Sequence, residues 1–191
     1  MNPDTRSKEY GDPETRLQGW NVCIQQSVWL VAPEMTWFLM GLAGLDCGLI
    51  RKEQTLISKF KAPIQSGLTS QEMTDHNTFS VLWVFGAYEV VRTIHQRLRE
   101  HSDARVQQSK LCFRVGELKK QFERVRIPLA KLEPPARFPS DTGVAVSGVD
   151  FDRCATWFVT PNEHVTRREL SDALLESLHE WNNWIQKEHT P

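Results

Sequence analysis

The chain has 191 residues and a mass of 22.1 kDa, the length of one domain. Apolar residues make up 40% and charged residues 25%, which suffices for a core and excludes both a disordered polyelectrolyte and a membrane bundle. The formal net charge of −1 hides a basic centre flanked by acidic segments.

Residues 1–16 carry seven charges and no aliphatic run, so they are expected to form a flexible polar tail and not a signal peptide. Leu17, Trp20, Ile24, Val28 and Val31 recur at three- and four-residue steps, which predicts a helix ended by Pro33. The most apolar stretch, 28–50, approaches the roughly 20 residues that span a bilayer, but Pro33, Glu34 and Asp46 interrupt it. It reads as a central helix of a bundle, with no membrane partner expected. That helix is predicted from Met35 to Lys61 on a stripe of Phe38, Leu42, Leu45, Leu49, Leu56 and Phe60, with a break near Gly48 as an alternative. Gly41 and Gly44 would let a neighbouring helix approach closely.

Thr69 with Glu72 matches a capping box, and Val84, Ala87, Val91, Ile94 and Leu98 continue the helix it opens. Ser102 and Asp103 predict a turn and cap, followed by Leu111, Val115, Leu118, Phe122 and Val125 on another helical stripe. Two long helices with so short a connection fold back antiparallel, and Pro128 is expected to end or kink the second. From 134 to 161 prolines and glycines surround β-prone runs near 144–149 and 156–159, predicting a small hairpin. Thr166 and Glu169 form a second capping box before Leu170, Leu174, Leu178, Trp181 and Ile185. The expected fold is mainly α: a helical bundle over 17–133, a loop and β-hairpin over 134–165, and a C-terminal helix over 166–191 packed on the bundle.

Candidate chemistry is sparse. Cys23, Cys47, Cys112 and Cys154 are far apart with no C-x-x-C pair, which reads as reduced thiols of a cytoplasmic protein and gives no zinc or redox motif. Glu176 and His179 have the spacing of half a di-metal site, but the second half is missing, so no metal or other cofactor is expected. His95 and His101 titrate near neutrality but have no nucleophile motif beside them. Glu89 and Arg92 have the i to i+3 spacing of a helix ion pair close to Tyr88.

Residues 92–137 hold 12 Lys and Arg against five Asp and Glu. Basic groups concentrated on one helical hairpin attract phosphates, with Arg114, Lys119, Lys120 and Arg124 as the candidate nucleic-acid contacts. The alternative is that these side chains are solvated or pair with the acidic segments.

The antiparallel helix pair followed by Arg126-Ile127-Pro128-Leu129-Ala130-Lys131 resembles the higher eukaryotes and prokaryotes nucleotide-binding (HEPN) domains. Those bundles often carry Arg-Asn-x-x-x-His at the end of a long helix, and their ribonucleolytic members pair two copies. Here Arg126 matches the arginine, Ile127 stands for asparagine and Lys131 for histidine. A lysine stays protonated near neutral pH and is no proton acceptor, so the resemblance implies an inactive or altered relative.

The leading expectation is a non-catalytic protein–protein interaction module that self-associates or binds another protein, with Trp29, Trp37 and Trp83 as candidate interface residues. The alternative is a HEPN-like RNA-binding protein or an altered, metal-independent ribonuclease using Arg126 and Lys131.

Overall fold

A computed structural model describes residues 12–28, 33–61, 70–102, 104–150 and 152–189. Its elements are α1 (Pro13–Cys23), α2 (Thr36–Lys61), α3 (Ser70–Glu100), the single turn α4 (Ala104–Gln107), α5 (Lys110–Lys131), β1 (Val146–Asp150), β2 (Cys154–Thr160), β3 (Glu163–Thr166) and α6 (Arg167–His189). The protein is mainly α, with a small antiparallel sheet before the last helix, as the periodicity predicts.

The first helix starts earlier than its apolar stripe. Asp12 caps it by accepting a hydrogen bond from the Thr15 amide at 2.8 Å, Pro13 fills the first turn, and Arg16 is fully buried. Residues 12–16 therefore belong to the folded domain and not to a tail. A π-helical turn (Ile24–Val28) follows α1, and a 3-10 turn (Pro33–Met35) leads into α2, which runs unbroken through Gly48. The expected caps Thr69 and Asp103 lie outside the described residues.

The cap of α5 is Ser109, whose hydroxyl accepts from the Cys112 amide at 3.1 Å. Pro128 neither ends nor breaks this helix: its ring is buried, and α5 continues to Lys131. A proline withholds one amide, the one that would bond the Arg124 carbonyl four residues earlier, so the cost is a single helical hydrogen bond. Leu132 then closes the helix in the left-handed region at φ 57°, its amide donating to the Pro128 carbonyl.

The β excursion is a three-stranded meander in the order β1-β2-β3 and not a single hairpin. β2 pairs Trp157 with Ser147 on one side and with Val165 on the other. The missed strand, β3, is short and polar and passes straight into α6. At that junction the capping box forms as expected: the Thr166 amide donates to Glu169 Oε2 at 2.9 Å, and the Glu169 amide to Thr166 Oγ1 at 3.1 Å.

α3 packs antiparallel on α5, α2 packs on α1 and α3, and α6 closes the bundle against α1 and α5. Trp20, Trp83, Trp157 and Trp181 are all buried in the core between these elements, with Trp83 and Phe122 in a tilted ring contact at 6.1 Å. All four cysteines are free and buried, and burial pushes the Cys23 and Cys154 thiols up to about 12. Among the described residues, no helix is long and apolar enough to cross a membrane.

Candidate functional site

The basic residues of α3 and α5 are mostly neutralised within the chain. Arg114 pairs with Glu180 of α6, Lys119 with Glu123, and Lys120 with Glu117 at 2.5 Å. Arg124 forms two forks, one to both Asp141 oxygens at 2.8 Å and one to Glu163 at 2.6 and 2.8 Å. These two carboxylates hold its charge well above the ordinary arginine range, and they tie α5 to the loop before β1 and to β3. Three of the four candidate nucleic-acid contacts thus serve as ties within a helix or across elements, and Arg114 ties two helices. Sequence separation hides this, because Glu163 and Glu180 belong to segments that periodicity alone does not place beside α5.

Arg126 and Lys131 face different neighbours. The Arg126 guanidinium stacks 5.1 Å from the Tyr88 ring and 5.7 Å from Phe85, with Glu89 at 3.9 Å. Lys131 is exposed on the far end of α5 and lies 3.5 Å from Glu133. Five residues along a helix turn a side chain through roughly 140°, so the two cations share no focus. The Glu89–Arg92 pair forms as expected at 2.8 Å. No group of three or more His, Cys, Asp or Glu in metal-holding geometry occurs among the described residues, Glu176 and His179 included.

A buried ionic cluster joins α1, α2 and α6. Asp46 and Glu53 stand two turns apart on the core face of α2, a spacing that puts both carboxylates among its leucines. Asp46 Oδ2 accepts from Arg16 Nε at 2.5 Å and from Trp20 Nε1 at 3.0 Å; its Oδ1 accepts from Arg167 at 2.5 Å and from Ser171 Oγ at 2.7 Å. Arg167 also donates to Glu53 Oε1 from Nε at 3.0 Å and from a terminal nitrogen at 2.5 Å. Burial opposes the Asp46 charge, yet Arg167 and Arg16 outweigh it and hold the carboxyl down to about 2. Each charge is answered inside the protein, which makes the cluster a structural clamp between the first and last helices. Only Asp46, as a charge inside the most apolar stretch, signals it in the sequence.

The aromatic surface is elsewhere. Trp83, an interface candidate, is completely buried and donates its indole N–H to the Leu42 carbonyl at 3.1 Å, so it belongs to the core. Trp29 lies outside the described residues. Trp37 is 80% exposed at the start of α2, with Phe38 and Met40 exposed beside it. Along the same helix Gly41, Gly44 and Gly48 have open space where a side chain would stand, within 4 Å of nothing. Phe38 reaches α3 at Gly86, where a Cβ would stand 3.2 Å from its ring, and exposed Leu82 and Phe79 lie one and two turns before Gly86.

Comparison with known protein families, with characterised proteins and with solved structures finds no match.

Proposed function

We propose that the protein is a non-catalytic interaction module that associates with a second copy of itself through the exposed face of α2 and its α3 flank. The observation that carries this reading is the pattern Trp37, Met40, Gly44, Gly48 and Arg51 along the exposed side of α2. Glycine in a helix interior costs about 1 kcal/mol relative to alanine, and three on one face without an intramolecular neighbour favour close approach by another backbone.

The face is self-complementary about Gly44. In a two-fold pair of antiparallel α2 helices crossing at Gly44, residue i meets the partner's residue at the same distance on the other side of the crossing. Met40 then fills the gap left at Gly48, and the Trp37 ring meets the Arg51 guanidinium in a cation–π contact. Bulk occupies one end of the stripe, and space and charge the other. Phe38, Leu82 and Phe79 extend the apolar margin on one side. Self-association also accounts for an indole left 80% exposed beside two other large apolar side chains.

Sedimentation of the full chain at micromolar concentration tests the reading. A dimer is expected, becoming monomeric in Gly44→Leu and in Trp37→Ala while the helical spectrum is retained. A wild-type chain that stays monomeric, or a dimer untouched by both substitutions, overturns it.

A further inference from the structure

A second, polar surface lies where α3 and α5 diverge near the α4 turn. Two adjoining cavities of about 570 and about 390 Å³ share His95, Arg99 and Lys119 and together form one continuous groove. Arg92, Lys120 and Arg137 complete its basic lining, against the carboxylates Glu100 and Glu117. Unlike the ties described above, two of these cations are uncommitted: among the described residues neither Arg99 nor Arg137 has a carboxylate partner, whereas Lys120 is held by Glu117 and Arg92 by Glu89.

The floor is shaped for an imidazole. Gly116 on α5 lets the Nε2 end of the His95 ring come close to the helix, since a Cβ there would stand 3.1 Å from Nε2. Burial and the neighbouring Lys119, Arg99 and Arg137 push the His95 pKa below its ordinary value, while Glu123 works weakly the other way. A cation-rich groove that depresses a histidine in this way offers a favourable field to an anion. At one end Phe113, a residue 69% exposed, lines the larger cavity, and Gln107, Gln108 and Ser109 line it at the start of α5.

We propose that this groove binds a phosphate monoester joined to a planar ring, the phosphate held by Arg99 and Arg137 and the ring stacked on Phe113. Guanidinium forks match phosphate oxygens in pairs, and two of them suit a dianionic terminal phosphate better than a singly charged diester. Aromatic rings exposed beside basic grooves serve as stacking platforms for bases. The larger cavity falls in the range of about 300–1,000 Å³ that accommodates small ligands. The chemistry is that of a nucleoside monophosphate or of the 5′-phosphorylated end of a nucleic-acid strand. It is independent of self-association, because α2 contributes nothing to the groove.

The test is a binding titration of the full chain in low salt, about 50 mM, with adenosine monophosphate, adenosine, and one short single strand carrying either a 5′-phosphate or a 5′-hydroxyl. A phosphorylated probe is expected to bind, and adenosine and the 5′-hydroxyl strand are not. Arg99→Ala and Arg137→Ala each weaken binding about tenfold or more. Phe113→Ala weakens it several-fold without changing its salt dependence, and Arg114→Ala leaves it unchanged. A phosphorylated strand that binds more tightly than adenosine monophosphate identifies the strand end as the source, and the reverse order identifies the free nucleotide. The proposal is overturned by no binding of either phosphorylated probe, by equal binding of the 5′-phosphate and 5′-hydroxyl strands, by undiminished binding when both arginines are replaced, or by unchanged affinity in Phe113→Ala.

Discussion

Replacing Asp46 by Asn removes one charge and almost no volume, yet it strikes the point where three helices meet. The carboxylate accepts four hydrogen bonds, two from fully buried guanidiniums, one from the Trp20 indole and one from the Ser171 hydroxyl. An amide supplies a single acceptor oxygen. With that oxygen towards Arg167 and Ser171, the NH2 group confronts Arg16 and Trp20; turned over, it confronts the other pair. Arg16 keeps Asp172, and Arg167 keeps Glu53, so neither cation is orphaned, but each loses its fully buried counter-charge. Breaking one buried ion pair from one side costs about 3–5 kcal/mol. Two pairs share this carboxylate, so the upper part of that range is expected, a large share of a domain's total of about 5–15 kcal/mol. Urea unfolding followed by circular dichroism measures the loss, and tryptophan fluorescence reports the Trp20 site. Asp152→Asn, which removes an exposed ion pair with Lys61, serves as the control and should leave the midpoint in place. A loss below about 1 kcal/mol for Asp46→Asn would show that water, and not Asp46, satisfies the guanidiniums, and would refute the clamp.

The same carboxylate sets an acid limit. With its folded value at about 2 against 3.8 for the free group, Asp46 contributes about 2 kcal/mol that is fully present above pH 4 and is lost as pH falls towards 2. Acid titration of stability should therefore be flatter in Asp46→Asn. Phe122→Ala, at a fully buried position against Trp83, should cost about 3–5 kcal/mol in the same urea assay, and a loss below about 0.5 kcal/mol would move α5 out of the core. His95, followed by nuclear magnetic resonance, should titrate below 6.5 and move upward when Arg99 and Arg137 are replaced by Ala; a value above 6.5 in the native chain would contradict the positive field of the groove.

Elements governed by interactions within a turn or two were legible in the sequence. The apolar stripes located α2, α3, α5 and α6, and the Thr166–Glu169 box marked the start of α6 because both partners lie three residues apart. The uneven charge along the chain was equally plain. Pro128 does not end α5: its local rule counts one missing hydrogen bond, whereas the burial of its ring in the last turn is a property of the packed bundle. Residues 12–16 looked like a tail because four of the five are polar or charged, and only the closed bundle brings Arg16 against Asp46 and Asp172.

Tertiary structure alone decided where the charges went. Arg167 and Ser171 meet Asp46 from 121 and 125 residues away, and Arg124 finds Glu163 across 39. Such pairs have no sequence spacing to recognise, since their geometry is fixed by how α6 and the sheet dock on α2 and α5. The same docking consumes most of the basic hairpin, leaves Arg99 and Arg137 without a carboxylate partner among the described residues, buries Trp83 and exposes Trp37. Periodicity states which face of a helix is apolar. Which apolar face finds a neighbour in its own chain, and which remains open to a second one, is settled only when all the helices compete for the same interior.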